Sequence, residues 1–123
     1  MACKNIEFDW LRVINATLVQ GTSATIVVAP TALEHGDYFK LRYCVKFSDA
    51  TGAEPLLLSI AGVIYPALDK WGNPVTIGML RRRELLCMRF SNITTTTPTV
   101  SPHFTLFNKL FCQSIVTPEI TTP

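Results

Sequence analysis

Charged side chains are scarce in this 123-residue chain, where Asp, Glu, Lys and Arg make up 16% of the residues. An average soluble domain carries about 25%. Apolar residues make up 48%, which excludes general disorder, because disordered chains are poor in apolar residues and rich in net charge. The length suits a single domain. A small, apolar, charge-poor chain is what we expect when much of the surface lies against another protein.

Long apolar runs are also missing. Charges at Lys4, Glu7, Asp9 and Arg12 interrupt the first residues, MACKNIEFDWLRV, so they lack the apolar stretch of a signal peptide. No run approaches the roughly 18–20 apolar residues of a membrane helix. We therefore expect the protein to be made and kept in a cytoplasm, at least until it is assembled, without membrane association.

The four cysteines are too far apart to form a short zinc motif. They are Cys3, Cys44, Cys87 and Cys112, and none lies within four residues of another. A chain without a secretory signal normally keeps its thiols reduced, so we predict free thiols. Disulfides stay open as an alternative for a protein that ends up in an extracellular particle.

Groups that could perform catalysis are few. His35 lies close to Asp37 in a predicted turn. The two side chains could form a general-base pair, but a solvated histidine in a turn is the preferred interpretation. His103 fits a position at a strand edge. The chain has no Gly-x-Ser-x-Gly elbow, phosphate-binding glycine loop or His-Glu-x-x-His pair. We predict no enzyme activity, and no residue is assigned as catalytic, cofactor-binding or metal-binding.

The densest charge is the triplet Arg81, Arg82 and Arg83. Guanidinium groups in such a run contact phosphates or acidic partners, or form a solvated basic turn before a strand. Aromatic residues are not interleaved with the triplet, as a platform for single-stranded nucleic acid requires. The triplet therefore favours a structural or protein-binding role without nucleic acid.

The hydrophobic pattern alternates with a period of two, which is typical of half-buried strands. Turn residues separate these runs about every ten residues. The predicted features are an N-terminal strand at 6–12 with Trp10 in the core, strands at 25–28, 41–47, 56–60 and 86–90, a tight hairpin at Ala61-Gly62, and loops at 69–74 and 94–102. Residues 104–112 are predicted to form a strand because Phe and Thr favour one, although their apolar spacing would also suit a helix.

This pattern predicts an all-β chain, a small antiparallel β-sandwich or barrel forming a single domain. Residues 1–116 form the β domain, and residues 117–123 form a Thr/Pro-rich C-terminal tail. Such tails often become ordered when they lie on a neighbouring molecule.

The middle of the chain contains three characteristic runs, at residues 36–43 (GDYFKLRY), 52–66 (GAEPLLLSIAGVIYP) and 68–75 (LDKWGNPV), followed by Leu80 and the arginine triplet before the strand at 85–90. Together these runs resemble a module of short bacteriophage and prophage structural proteins of gut bacteria. The opening MACKN is similar as well. Residues 13–33, the Thr-rich loop and the tail have no counterpart in the module.

The resemblance implies a bacteriophage virion structural protein. Because the chain is one compact domain, a head decoration or auxiliary capsid protein is expected, oligomeric in the particle and bound to the major capsid protein or to tail proteins. One alternative is a tail or fibre subunit, although the coiled-coil or repeat stalk of a fibre is lacking. An alternative of another class is a carbohydrate-binding β-sandwich module, with Trp71 as its stacking ring.

Overall fold

A computed structural model describes residues 8–81, 83–96 and 99–107. This part of the chain holds ten β-strands and one short 3-10 helix, Ile77–Met79. None of its helices is long and apolar enough to span a membrane. The strands are β1 (Asp9–Trp10), β2 (Val13–Val19), β3 (Ser23–Val28), β4 (Tyr38–Tyr43), β5 (Leu56–Ile60), β6 (Val63–Leu68), β7 (Glu84–Ser91), β8 (Thr95–Thr96), β9 (Thr99–Val100) and β10 (His103–Phe107).

Eight of the strands form one curled sheet in the order β1-β4-β7-β10-β6-β5-β3-β2, and β8 and β9 form a separate two-stranded hairpin. The all-β prediction is confirmed. The sheet is mixed, since β1 with β4, β3 with β5 and β6 with β10 pair in parallel. The antiparallel sandwich is therefore not confirmed. An alternating pattern indicates which side chains face the core, but it does not specify the direction of the neighbouring strand.

The core lies on the inner face of this curled sheet. In β3, Ala24, Ile26 and Val28 are buried while the residues between them are half-buried. Rings from three strands meet at the centre: the Phe104 centroid lies 6.0 Å from that of Phe39 and 5.2 Å from that of Phe90. These contacts add edge-to-face attraction to the hydrophobic burial.

The hairpin predicted at Ala61-Gly62 is confirmed. Ile60 pairs with Val63 across it, and the two turn residues have φ of 52° and 84°. Two central residues with positive φ define a type I′ turn, whose twist matches that of the flanking strands.

The predicted strands at 25–28, 56–60 and 86–90 are confirmed as parts of β3, β5 and β7. The predicted strand at 41–47 is displaced, because β4 spans Tyr38–Tyr43 and residues 44–47 are not in a strand. β10 covers the start of the predicted 104–112 strand; residues 108–112 and the tail at 117–123 lie outside the described residues. The Thr-rich segment, predicted to be a loop, contains β8 and β9.

Trp10 was predicted to lie in the core, and this prediction is wrong. Its side chain is 56% exposed, while the next residue, Leu11, is buried. The backbone N–H of Leu11 bonds to the carbonyl of Lys40, so the pairing with β4 sets which residue points inward. The Lys40 ammonium lies 4.7 Å from the centre of the exposed ring.

The prediction of free thiols holds for one described cysteine and fails for the other. Cys44 is free and exposed, whereas Cys87 is disulfide-bonded and buried. Cys3 and Cys112 lie outside the described residues. A disulfide requires Cα atoms about 4.4–6.8 Å apart, a proximity that the fold creates and that sequence spacing does not reveal.

Candidate functional site

The loop at residues 69–74, named here the Trp71 loop, is held in one conformation by its own hydrogen bonds. Oδ1 of Asp69 accepts the backbone N–H groups of Trp71 and Asn73, each at 2.9 Å. The Asp69 N–H donates to the Asn73 carbonyl at 2.8 Å, which closes the loop. Gly72 has φ of 85°, a left-handed conformation that a side chain would strain. The predicted loop, with glycine at a positive φ, is confirmed.

This loop carries Trp71 into solvent. The side chain is 75% exposed, and the Lys70 ammonium lies 4.6 Å from the ring centre. A cation over the ring is favourable, although at an exposed site it contributes only about 0.5–1 kcal/mol. A large apolar ring on a well-ordered loop loses little conformational entropy on binding, which is the property of an interface anchor.

A groove of about 310 Å³ lies beside Trp71. It is mostly apolar, with Asp69 and Lys70 at its polar end. The 3-10 helix contributes Met79, whose side chain is 61% exposed, and β10 contributes Leu106 and Phe107. Trp and Met are enriched in protein interfaces, so their exposure beside an apolar groove is typical of a binding surface. The remaining lining residues are Val75 and Leu80.

A close approach of two glycines holds the 3-10 helix in place. The Gly78 N–H bonds to the Gly52 carbonyl at 2.9 Å. A Cβ on Gly78 would lie 2.6 Å from that same oxygen, so no larger residue fits without displacing backbone. The contact fixes the position of Met79 at the groove.

Glu54 in turn holds the segment that carries Gly52. Its side chain is fully buried, and its carboxylate accepts backbone N–H groups from Gly21, Thr51 and Gly52 at 2.9–3.1 Å. The hydrogen bonds from Gly21 and Thr51 lower the pKa of Glu54 to about 2 against the opposing effect of burial. The carboxylate therefore joins the β2–β3 turn to the segment before β5.

The His35–Asp37 pair considered for base chemistry is not assembled. His35 Nδ1 accepts the backbone N–H of Asn92 at 3.0 Å. Asp37 Oδ2 accepts the backbone N–H of Glu34 at 3.2 Å. Each side chain thus bonds to the backbone of a loop. His103 lies at the start of β10 as expected for a strand edge, and its Nδ1 contacts the carbonyl of Ser101 at 2.9 Å.

The arginine triplet begins a turn before β7. The Arg81 N–H donates to the Glu84 carboxylate at 2.7 Å, and Arg42 donates to the Arg83 carbonyl at 3.0 Å. Arg82 lies outside the described residues. Within the described ranges, no group of three or more His, Cys, Asp or Glu side chains is placed to hold a metal ion.

The sheet has two halves that differ in charge. The strands β2, β3, β5 and β6 contain no charged residue, and they are named here the uncharged half. The strands β1, β4, β7 and β10 form the charged half, which carries Asp9, Lys40, Arg42, Glu84 and Arg89. The uncharged half also exposes Ile14, Val19, Val63 and Ile64, each between 50% and 58%.

Two of these features were missed from the sequence. The uninterrupted absence of charge in β2, β3, β5 and β6 is a visible signal for the uncharged half. The groove beside Trp71 has no local signal, because the chain folds residues 69–80 against residues 106–107. Comparisons with models of protein families, with curated proteins and with solved structures found no match to this chain.

Proposed function

We propose that this chain is a bacteriophage virion structural protein, most specifically a head decoration or auxiliary capsid subunit that binds the assembled particle through protein–protein contacts. The observation that supports this proposal is the set of large apolar side chains held exposed on an ordered scaffold. They are Ile14, Val19, Val63 and Ile64 on the strands without charged residues, and Trp71 and Met79 beside the groove.

Exposed apolar side chains are common singly, so their grouping carries the argument. Val63 and Ile64 lie beside each other at the start of β6, and Ile14 and Val19 lie on β2, all within the uncharged half. Protein interfaces are depleted of charge at their centre and enriched in Trp and Met. Large apolar side chains exposed on a part of the sheet without charge are typical of a protein-binding site.

The copy number in purified particles tests the proposal directly. Quantitative mass spectrometry should find this chain in virions at a copy number comparable to that of the major capsid protein. A copy number far below that level favours the alternative, a tail or fibre subunit. Absence from particles of a phage that expresses the chain would contradict both assignments.

A matched pair of variants tests the surface. Ile64→Lys introduces a charge on the uncharged half at a side chain that is 56% exposed, so the fold should tolerate it. Ile93→Lys makes the same substitution at a side chain that is 48% exposed outside both halves. We expect Ile64→Lys to lower particle occupancy and Ile93→Lys to leave it unchanged; equal occupancy would show that this surface does not bind the particle.

Carbohydrate binding is the second candidate, and the exposed Trp71 ring on its hydrogen-bonded loop favours it. A flat exposed indole is a surface on which the apolar face of a sugar ring can stack. Titration with soluble neutral oligosaccharides, followed by isothermal titration calorimetry, tests this function. Trp71→Ala should abolish a binding signal, while Trp10→Ala, which removes the other exposed tryptophan with a lysine over its ring, should retain it.

A further inference from the structure

The strand β2 ends the sheet, and one side of its backbone has no strand paired to it among the described residues. Its other side pairs with β3 from Val13↔Val28 to Val19↔Ser23, with an irregularity between Val13 and Asn15. The opposite end of the sheet is β1, which has only two residues. Within the described part of the chain, β2 is therefore the longer of the two edges of the sheet.

The register identifies which backbone groups of β2 point away from the sheet. The Ala24 N–H bonds to the Pro55 carbonyl, so the backbone groups of Ala24 face β5 rather than β2. Leu18, directly opposite Ala24, is then a non-hydrogen-bonded position whose N–H and C=O point outward. The same alternation turns the backbone of Ala16 outward, and its N–H is held at 2.8 Å by the side-chain oxygen of Asn15.

This edge lacks the features that normally prevent strands from pairing. Natural edge strands carry lysine, proline or inward-pointing charges, or they are covered or very short. The sequence of β2, VINATLV, has neither charge nor proline, and Ile14 and Val19 are 55% and 58% exposed. Asn15 supplies the one local cover in the described structure of this edge, through a single hydrogen bond that can be exchanged.

We propose that β2 pairs antiparallel with β2 of a second copy of this chain, about a two-fold axis at Thr17. In this register Ala16 of each copy lies opposite Leu18 of the other, so the outward N–H and C=O groups of both residues are satisfied. Thr17 faces its own counterpart as a non-hydrogen-bonded pair, and paired threonines across strands are favourable. Asn15 releases the Ala16 N–H when the strands pair.

Charge explains why the occupant is a second copy. A two-fold contact brings a surface against a copy of itself, so a surface with an excess of one sign of charge repels its counterpart. β2 and its neighbour β3 carry none, which makes this edge self-compatible. The charged half offers no equivalent edge, since β1 contains Asp9 and lies beside Lys40 of β4. The pairing would occur in solution and does not depend on the proposed role in a particle.

A cross-linking experiment tests the register. Cα atoms of a non-hydrogen-bonded antiparallel pair lie about 4.5 Å apart, within the range that a disulfide spans. In a Cys44→Ser background, which removes the free thiol that is exposed among the described residues, Thr17→Cys should give a covalent dimer under mild oxidation. Thr25→Cys, opposite Thr17 on β3 and one strand inside the edge, is the control and should stay monomeric. A monomeric Thr17→Cys protein, or equal cross-linking of the control, would overturn the register.

Sedimentation across a concentration series tests the association without cross-linking. Thr17→Lys places two ammonium groups opposite each other and should weaken the dimer at least about tenfold. Thr94→Lys, an equal change of charge at an exposed residue between β7 and β8, should leave it unchanged. Asn15→Ala frees the Ala16 N–H and should tighten the dimer. A wild-type chain that stays monomeric at every concentration would refute the proposal, whereas loss of particle binding with the dimer intact would refute only the proposed function.

Discussion

The two halves of the sheet share one core and differ in what they show to solvent. In the charged half, exposed side chains form local polar contacts, such as Lys40 over the Trp10 ring and Arg42 on the Arg83 carbonyl. In the uncharged half, the exposed side chains Ile14, Val19, Val63 and Ile64 carry no such groups. The low charge content of the chain is therefore concentrated in one half of the sheet, and the other half carries ordinary charged side chains.

The seam between the halves is the parallel pairing of β6 with β10. Only two residue pairs are in register there, Phe104↔Ala67 and Thr105↔Leu68, so backbone pairing alone makes a narrow connection. Side chains reinforce it: the Tyr65 ring of β6 lies 5.8 Å from that of Phe104 and 5.4 Å from that of Phe90. The halves should therefore unfold together.

The largest expected effect follows from removing the ring at this seam. Phe104 is fully buried and contacts three other rings. Phe104→Ala should lower the free energy of unfolding by about 3–5 kcal/mol, through lost burial and the cavity left behind. Denaturant unfolding, followed by both tryptophan fluorescence and circular dichroism, measures the change.

The same experiment tests whether the halves are one cooperative unit. In a Trp71→Phe background, the fluorescence comes from Trp10 in β1 of the charged half, whereas circular dichroism reports on strands of both halves. Coincident transitions by the two probes are expected for this protein. Two separated transitions would show that the uncharged half has a core of its own, and Phe104→Ala would then have a much smaller effect.

The next largest effect concerns the glycine contact that places Met79 at the groove. Gly78→Ala puts a Cβ 2.6 Å from the Gly52 carbonyl oxygen, so backbone has to move. We expect a loss of about 1–3 kcal/mol in unfolding free energy, the usual cost of overpacking. Thermal unfolding measures it.

Gly62→Ala provides the comparison that separates crowding from backbone strain. Gly62 has φ of 84°, and a Cβ there would meet no atom within 4 Å. Its expected cost is that of a left-handed alanine alone, about 1–2 kcal/mol. If Gly78→Ala and Gly62→Ala both leave the unfolding free energy unchanged, neither the glycine contact nor the type I′ turn requires glycine.

Local patterns made much of the sheet predictable. The alternation in β3, β5 and β7 and the Ala61-Gly62 turn depend on neighbouring residues, and all four are confirmed. The order and direction of the strands could not be predicted, because they depend on pairings between distant segments. The parallel pair β3 with β5 joins segments separated by the whole of β4.

The candidate site was predictable only in part. Asp69 and Gly72 are residues that favour a turn, and the Trp71 loop is closed by a hydrogen bond to Asp69 and has a positive φ at Gly72. Trp10 was misplaced because an aromatic residue in a strand favours the core, while its pairing with β4 turns it outward. Cys87 was predicted to be a free thiol, yet it is buried and disulfide-bonded, a contact that no local pattern encodes.

A smaller effect should come from the Ala61-Gly62 turn in the uncharged half. Ala61 has φ of 52°, which costs an alanine about 1 kcal/mol and is readily adopted by asparagine. Ala61→Asn should therefore raise the unfolding free energy by about 0.5–1 kcal/mol, measured by thermal or denaturant unfolding. Ala32→Asn, at another exposed alanine outside the strands, is the control and should have no such effect; equal responses would remove the turn as the cause.

The last expected effect is the dependence of stability on pH that is due to the buried carboxylate of Glu54, and it is smallest near neutral pH. Glu54 has a pKa of about 2 in the folded protein against 4.5 for an ordinary glutamate, owing chiefly to hydrogen bonds from Gly21 and Thr51. A lowered pKa in the folded state means that the unfolded chain binds the proton more readily. The contribution of Glu54 to stability is thus complete above pH 4.5 and declines as the pH falls towards 2.

The unfolding free energy, measured between pH 7 and pH 2, should show a flat region followed by this decline. Glu54→Gln, which cannot titrate, should show a shallower decline from a lower plateau. If wild type and Glu54→Gln have the same slope in acid, the carboxylate does not hold the β2–β3 turn against the segment before β5.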